Sequence, residues 1–377
     1  MQHMADRKLN LVTLKARMGE LGLSASNVAK NLGVSRTIVS EWINGKKIPR
    51  PRLLFDLGTL LDLKVSEIVM PDLVTEPIVA YRKRSNSKPD LAEAMEMGKA
   101  LEHLVDYLPF NKLQSPPGLL DPSNSNDYIE SAADEIRKTL DGDGLVIDVE
   151  ALVKSCRELK IVLVPVLWGE KDRKYNALSI YLPTSRTNWV FLNLDVKPMD
   201  FKFWILHEMI HAMVRGAFPK NSEEEQFCDA LAGAILVPVD YAEKLLDQTL
   251  LVINTDDRFK PLLNASRLLI VSPITIAHRV DAIAKSRGIT PPFGNTVFSV
   301  CENFNKEFGL VSEEYFETLP PSAEDLIRVS EAKFGTYAYK ALGNYLRDTG
   351  ASEGAVAAML GLSAVDAKAV YRALVGN

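Results

Sequence analysis

The sequence predicts an α+β chain that is mostly helical, with a helical head, a central part that holds a small sheet, and a helical C-terminal region. Apolar residues recur at helical spacing over much of the chain, which favours amphipathic helices. Three short runs between residues 161 and 193 are rich in β-branched or aromatic residues and are bounded by turn residues, which favours strands. Beyond Pro238 only helical periodicity remains, so the sheet is expected to be small.

The composition is that of a globular chain long enough for two or three domains. It has 377 residues, 47% hydrophobic and 25% charged, with no apolar run of the length that spans a membrane. The first residues lack the apolar core of a signal peptide, and three cysteines give no disulfide framework. These features predict a cytoplasmic protein with no membrane partner.

The head is basic, whereas the rest of the chain is acidic. Residues 1–90 hold 15 Lys and Arg against 9 Asp and Glu, and the remainder holds 29 against 40. Such a distribution indicates a nucleic-acid contact that is confined to the head.

The centre of the head has the pattern of two helices joined by a tight turn. Gly33 permits the turn, Ser35 is expected to cap the second helix, and Ile38 and Val39 are expected to face inward. The outward positions and the turn that follows offer polar groups to DNA bases and phosphates: Arg36, Thr37, Ser40, Asn44, Lys46 and Lys47. This pattern resembles the Xre/Cro-like helix-turn-helix over about residues 10–70, and residues 1–70 are assigned to that domain. The alternative is the same fold used for protein contact.

Residues 71–127 are expected to form a linker and a helix. Pro71–Pro89 is rich in Pro, Ser and charge and holds the basic run Tyr81–Ser85, which contacts DNA phosphate, anchors on the next domain or stays solvated. Leu91–Leu108 has helical periodicity, and Ser115–Asp127 is typical of a loop.

From Tyr128 the predicted order is helix, helix, three strands and another helix. The strand candidates are Ile161–Val166, Ala177–Leu182 and Trp189–Asn193. An edge strand of such a sheet can align an extended polypeptide through main-chain hydrogen bonds.

The last helix of this order carries the run His-Glu-Met-Ile-His. His207 and His211 lie four residues apart and so project from one helix face, where they can bind one Zn²⁺ ion, while Glu208 can act as a general base. Asp200 is expected to cap this helix and Gly216 to end it. The alternative is a surface helix that happens to carry two histidines.

A third ligand is expected in the next helix, which Ser222 is predicted to cap. Glu225 is favoured because Asp229 follows one turn later, so that one carboxylate can bind the metal while the other orients a histidine. Glu224 is the alternative ligand; otherwise it and Glu223 are expected to interact only with the helix dipole. Two histidines, one glutamate and a water make an open zinc site of the catalytic kind.

These motifs, with a following helix of small residues that ends at Ala234–Pro238, resemble the ImmA/IrrE group of metallopeptidases over about residues 140–290. The resemblance implies a zincin-like metallopeptidase domain, assigned to residues 128–290, and leaves residues 291–377 as a helical C-terminal region. It implies this set of site residues: His207, His211 and Glu225 as zinc ligands, Glu208 as catalytic base, and Asp229 beside a ligand histidine.

Other residues are candidates for secondary roles. Cys228 or Cys156 is a candidate switch thiol for the open zinc position, and the alternative for each is a small buried core residue. His278 is a candidate oxyanion or substrate contact, or else a packed interface histidine. Residues 351–374 echo the helix–Gly–Ser–helix rhythm of the head, and we interpret them as packing or as a module that docks a partner.

The resemblance implies a zinc endopeptidase that cleaves a separate helix-turn-helix repressor and so derepresses an operon for stress response, phage or mobile-element control, or anti-phage defence. The head is predicted to bind DNA, with exposed single strands as one candidate signal. The alternative is a DNA-binding regulator whose metal domain is a sensor or scaffold. A third reading is the protease of a toxin–antitoxin-like pair. The oligomeric state is not indicated by the sequence.

Overall fold

The computed structural model describes residues 8–63, 65–70, 76–81, 91–110, 118–140, 144–168, 176–214, 217–218, 221–254 and 257–376. Helices and strands are labelled in chain order. The helices are Leu11–Glu20 (α1), Ala25–Leu32 (α2), Arg36–Ile43 (α3), Pro51–Leu61 (α4), Val65–Ile68 (α5), Leu91–Leu101 (α6), Asn126–Thr139 (α7), Val149–Glu158 (α8), Pro198–Val214 (α9), Asn221–Leu236 (α10), Val239–Leu250 (α11), Lys260–Leu269 (α12), Pro273–Ser286 (α13), Val297–Asn305 (α14), Val311–Tyr315 (α15), Ala323–Phe334 (α16), Ala338–Thr349 (α17), Glu353–Leu360 (α18) and Ala364–Val375 (α19). The strands are Lys8–Leu9 (β1), Val69–Met70 (β2), Ile78–Tyr81 (β3), Ile161–Val166 (β4), Ala177–Leu182 (β5) and Thr187–Asn193 (β6).

The chain divides into two compact units, residues 1–75 and 76–377. The first unit packs α1–α5 around its own apolar core. The strands β1 and β2, near the two ends of this unit's chain, pair with each other in antiparallel orientation. The second unit holds a separate and larger core, which the central sheet and the helices after it build.

The two-helix pattern of the head is confirmed. Ser24 caps α2 in a reciprocal capping box with Asn27, and Gly33 ends α2 in the left-handed conformation that the tight turn needs. The Ser35 side chain accepts a hydrogen bond from the Ile38 backbone N–H and so caps α3. One expectation is wrong: Ile38 is 38% exposed, because it lies in the first turn of α3, beyond the reach of the core that Val39 joins.

The second unit contains a four-stranded sheet with the strand order β3-β5-β6-β4. β4 runs parallel to β6, and the other two pairs are antiparallel. The strands predicted at Ile161–Val166 and Ala177–Leu182 are confirmed with those bounds, and the third begins two residues earlier than expected, at Thr187. The three predicted strands are buried along nearly their whole length because helices cover the sheet.

β3 corrects the interpretation of Pro71–Pro89 as a linker. Ile78–Tyr81 pairs with β5 and completes the sheet, although Pro, Ser and charged residues surround it in the sequence. Hydrogen bonds to a partner far along the chain stabilise this strand, and local composition does not report them. Arg82–Ser85 of the basic run, residues 115–117 of the predicted loop, and Gly216 lie outside the described residues.

The outer side of β4 is covered by the C-terminal helical region. The Thr336 hydroxyl donates to the Leu163 carbonyl, and the Tyr339 hydroxyl donates to the Pro165 carbonyl at 2.5 Å. Both donors are buried. The C-terminal region therefore belongs to the core of the second unit and closes one edge of its sheet.

Past Pro238 the described chain is helical, as predicted. α18 and α19 meet at Gly361, which has the same left-handed backbone as Gly33, and Ser363 caps α19 as Ser35 caps α3. Their inward residues join the main core, which supports the packing interpretation of residues 351–374. Among the described helices, none alone is long and apolar enough to cross a membrane; α18 and α19 pass only as a pair, and they are bent by 113°.

Candidate metal centre

α9 places both histidines inside the second unit. It packs on β5, β6, α8 and α10, so nearly every side of the helix meets protein. The His207 residue has 0% exposure and His211 has 6%, which excludes a surface helix with two chance histidines. Asp200 is not the N-cap, because α9 begins at Pro198 and Asp200 lies in its first turn, where its charge faces the positive end of the dipole.

α10 brings Glu225 to the two imidazoles. Its carboxylate spans them, with Oε2 at 3.3 Å from His207 Nε2 and Oε1 at 3.2 Å from His211 Nε2. The two Nε2 atoms are 3.1 Å apart. Ser222 is the second residue of α10 and so does not cap it, contrary to expectation.

His207, His211 and Glu225 are the group of described residues whose ligand atoms converge closely enough to hold a metal ion. Zinc–ligand bonds of about 2.0–2.1 Å in a tetrahedron set neighbouring ligand atoms about 3.3 Å apart. The two Nε2 atoms are within a few tenths of an ångström of that separation, and so is each Nε2 atom from one of the two Glu225 carboxylate oxygens. The donor set of two imidazoles and one carboxylate is also one that zinc accepts in catalytic sites.

The other nitrogens of the two imidazoles face further carboxylates of α10. His211 Nδ1 is 3.0 Å from Glu224 Oε1, and His207 Nδ1 is 3.1 Å from Asp229 Oδ1, although the angles of the second pair are poor for a hydrogen bond. Glu224 therefore contacts the nitrogen of His211 that points away from the cluster. The structure does not bring it to the ligand position that was its alternative assignment.

The charges of the cluster depend on one another. Burial lowers the pKa of His207, but contacts with Asp229 and Glu225 outweigh burial and raise it overall. Burial raises the pKa of Glu225, but its contacts with both histidines outweigh burial and lower this pKa to about 2. Each histidine and Glu225 thus favours the charged form of the other.

Glu208 is fully buried, and neither of its carboxylate oxygens has a hydrogen-bond partner among the described residues. Burial raises its pKa to about 7. A buried carboxylate without a partner is costly for a structural residue, so its presence beside two imidazoles that could hold a metal ion indicates a functional role. Phe203 and Trp204 lie beside His207, with ring centroids 5.9 and 6.0 Å away, and form an apolar wall.

The two candidate switch thiols are buried. Burial raises the pKa of Cys228 to about 11, although its contact with His211 acts in the opposite direction, and burial alone raises the pKa of Cys156 to about 12. Both side chains are thus neutral thiols packed in the core. Neither belongs to the converging metal-binding group of the described residues.

His278 lies on α13 and is exposed, between buried Ala277 and buried Arg279. It lies near Asp281 of the same helix, where its contribution acts to lower the pKa of that carboxyl while burial raises it. The structure does not place it with His207, His211 and Glu225. A histidine on the outer face of its helix is also not the packed interface residue that was the other expectation.

In the first unit, the candidate DNA contacts lie on one exposed side of α3 and on the turn after it. Arg36, Thr37, Asn44, Lys46 and Lys47 are exposed, and Ser40 is half-buried. Outward-facing polar side chains on this helix are what a major-groove reader requires.

Three of these candidates, Ser40, Asn44 and Lys47, have partners within the chain. Asn44 Nδ2 donates to Ser40 Oγ at 3.4 Å, and Lys47 Nζ is 2.9 Å from Glu41 Oε2. The Lys47 pair is exposed and weak, so the lysine can exchange it for a phosphate.

Comparison with known proteins identifies the first unit. A helix-turn-helix family model matches residues 14–68, which include α2, the turn and α3. The match supports a DNA-binding, transcription-regulating role for this unit. No curated protein and no solved structure matches the chain.

Proposed function

We propose that the second unit is a zinc-dependent endopeptidase joined to a DNA-binding head. The observation that carries this proposal is the convergence of His207, His211 and Glu225 beside buried Glu208, which has no hydrogen-bond partner among the described residues. The sequence resemblance to the ImmA/IrrE group supports the same activity.

His207, His211 and Glu225 would hold the ion through the two Nε2 atoms and one carboxylate. When bound, Zn²⁺ supplies Lewis acidity, which polarises a peptide carbonyl and acidifies water. Glu208 accepts a proton from the attacking water and delivers it to the leaving amine. A pKa of about 7 suits both transfers, because the group is then neither too weak a base nor too weak an acid near neutral pH.

A polypeptide substrate can pair with an edge of the central sheet. β4 is one edge, but the hydroxyls of Thr336 and Tyr339 cover two of its carbonyls. β3 is the other edge and pairs on one side with β5. We therefore assign substrate alignment to β3.

The proposed substrate is a separate helix-turn-helix repressor, whose cleavage would derepress an operon for stress response, mobile-element control or anti-phage defence. The resemblance to the ImmA/IrrE group supports this choice. The head would bring the enzyme to DNA near that repressor, or respond to exposed single strands.

The test is co-expression with a candidate helix-turn-helix repressor, followed by intact-mass analysis. The zinc-loaded wild type is expected to cut it at one site. Glu208→Gln is expected to keep zinc, measured by elemental analysis, and to lose cleavage by about 10²–10⁴-fold, because the proton acceptor is gone. Glu223→Gln is the matched control, since it removes a carboxylate from the first turn of α10 and leaves the contacts of Glu208, Glu224, Glu225 and Asp229 in place.

The competing proposal is a DNA-binding regulator whose second unit senses or scaffolds. The helix-turn-helix match favours it as far as the first unit is concerned. Under that proposal, Glu208→Gln would regulate its operon as the wild type does. If the wild-type protein binds no zinc, the endopeptidase proposal is overturned.

A further inference from the structure

Glu224 is the carboxylate of α10 with the least obvious role in the cluster. Its side chain is 13% exposed, against 31% for Glu225 and for Asp229. A residue that only interacts with the helix dipole has no reason to be withdrawn from solvent in this way, because burying a carboxylate without a partner costs free energy. Its partner is His211.

The geometry separates the two nitrogens of His211. Nε2 faces His207 Nε2 and the Glu225 carboxylate, at 3.1 and 3.2 Å, whereas Nδ1 faces Glu224 Oε1 at 3.0 Å. An ionised carboxylate can only accept a hydrogen bond, so Nδ1 must carry the hydrogen in this pair. The Nε2 lone pair is then the one that is available to a cation.

We propose that Glu224 is a positioning residue, which fixes the Nδ1–H tautomer of His211 and turns Nε2 toward the metal. This inference rests on the proposed zinc site and assigns Glu224 a role different from that of a ligand or a dipole partner. The spacing of residues along α10 explains how this one helix brings three carboxylates to the two histidines. Glu225 is one residue after Glu224, so α10 presents the ligand and the orienting carboxylate on adjacent faces, while Asp229 lies one turn further on beside His207.

The inference predicts that changes at Glu224 weaken zinc binding without removing a ligand. Loss of a carboxylate behind a metal-binding histidine typically lowers metal affinity by about 10–100-fold. Glu224→Ala is expected to show a loss in this range. Glu224→Gln keeps an acceptor oxygen of nearly the same shape but loses its charge, so its loss is expected to be smaller than that of Glu224→Ala.

The experiment measures the zinc dissociation constant of the full chain by competition with a chromogenic chelator. Glu223→Gln is the matched control and is expected to bind as the wild type does. Two-dimensional ¹H–¹⁵N spectra of the imidazoles of the zinc-loaded chain give a second measurement. They are expected to show His211 protonated at Nδ1 in the wild type, and to show exchange of that proton with solvent in Glu224→Ala.

The outcomes are distinguishable from failure of the proposed function. If the wild type binds zinc and both Glu224 variants bind it within about twofold of the wild type, the positioning role is overturned while the endopeptidase proposal stands. If His211 of the zinc-loaded chain is protonated at Nε2, both the positioning role and the proposed mode of zinc binding are overturned. If Glu224→Ala loses zinc as completely as His211→Ala does, Glu224 is a ligand, and the inference is again overturned. Absence of zinc binding by the wild type would overturn both.

Discussion

The Lys202 side chain is buried in the second unit, and among the described residues no carboxylate forms an ion pair with it, although the charge of Asp148 acts on it. Nζ donates to the Ile147 and Leu269 carbonyls at 2.8 and 2.5 Å. Burial lowers the pKa of Lys202 to about 8, whereas lysine in an unfolded chain titrates near 10.5. Carbonyl dipoles satisfy the hydrogen-bonding protons, but they do not replace the water lost from around the charge.

The wild type should therefore gain stability, relative to Lys202→Met, as pH rises from about 8 to 10.5. In this range the unfolded state binds more protons than the folded state, so the free energy of unfolding increases with pH. The expected gain is at most roughly 3 kcal/mol, from a shift of about 2.5 pKa units. Urea unfolding of both proteins at pH 7.5, 9 and 10.5 measures it. Lys333→Met, at an exposed lysine, is the control. The prediction is contradicted if the gain of the wild type over Lys202→Met is no larger than its gain over Lys333→Met.

The cysteines give a second prediction at the scale of single residues. Cys156, Cys228 and Cys301 are all buried, so the folded chain should resist iodoacetamide and unfolding should expose three reactive thiols. Mass spectrometry after labelling with and without urea measures this. Labelling of Cys228 in the folded chain at the rate seen in urea would return the switch-thiol hypothesis to consideration.

At the scale of elements, the turn between α18 and α19 depends on Gly361 for two reasons. Its φ is +63°, and a Cβ atom there would lie 3.3 Å from Met97 Sδ and 3.6 Å from Trp168 Nε1. Gly350 has a φ of +67° but nothing within 4 Å of an added Cβ. The two glycines therefore separate backbone strain from packing.

Gly361→Ala should destabilise the second unit more than Gly350→Ala does. Both variants incur the strain of a left-handed alanine, about 1 kcal/mol. Only Gly361→Ala also pushes on Met97, which should add on the order of 1 kcal/mol. Thermal unfolding of the two variants and the wild type measures the difference in stability. Equal losses of stability in the two variants would show that the Met97 side chain moves aside without destabilising the core.

Elements that local signals define were predictable from the sequence. Ser24, Gly33 and Ser35 mark helix ends because capping involves residues a few positions apart, and the helix pair of the head followed from them. β3 was not predictable, because it depends on pairing with β5, about a hundred residues later, and on packing against α6. The N-caps expected at Asp200 and Ser222 were wrong for a related reason, since acidic and hydroxyl residues also suit the first turn.

The candidate site was likewise predictable where it depends on residues that lie close together in the sequence. The spacing of His207 and His211 on one helix places both on the same face, and Glu225 followed from Asp229 one turn later. The role of Glu224 was not predictable, because it depends on which nitrogen of His211 faces α10. That orientation is set by the crossing of α9 and α10, which is a tertiary property.

At the scale of the whole molecule, the two units have separate cores. Leu14, Val39 and Trp42 belong to the first core, and none of the residues around His207 contributes to it. The net charge of the sequence is also positive over the first 90 residues and negative over the remainder. The candidate DNA contacts and the proposed metal ligands thus belong to different sets of side chains.

Variants should therefore affect one function at a time. Arg36→Ala removes an exposed cation from the first turn of α3 and should weaken binding to a duplex selected from a random pool by about 1–3 kcal/mol, with zinc affinity unchanged. Lys15→Ala, an equal charge change on exposed α1 surface, should cost less, because α3 and not α1 enters the groove of a helix-turn-helix complex.

Chelation of zinc should leave the affinity for DNA unchanged. If chelation instead weakens DNA binding in proportion to the zinc removed, the two units are coupled, and the second unit acts as a metal sensor for the first.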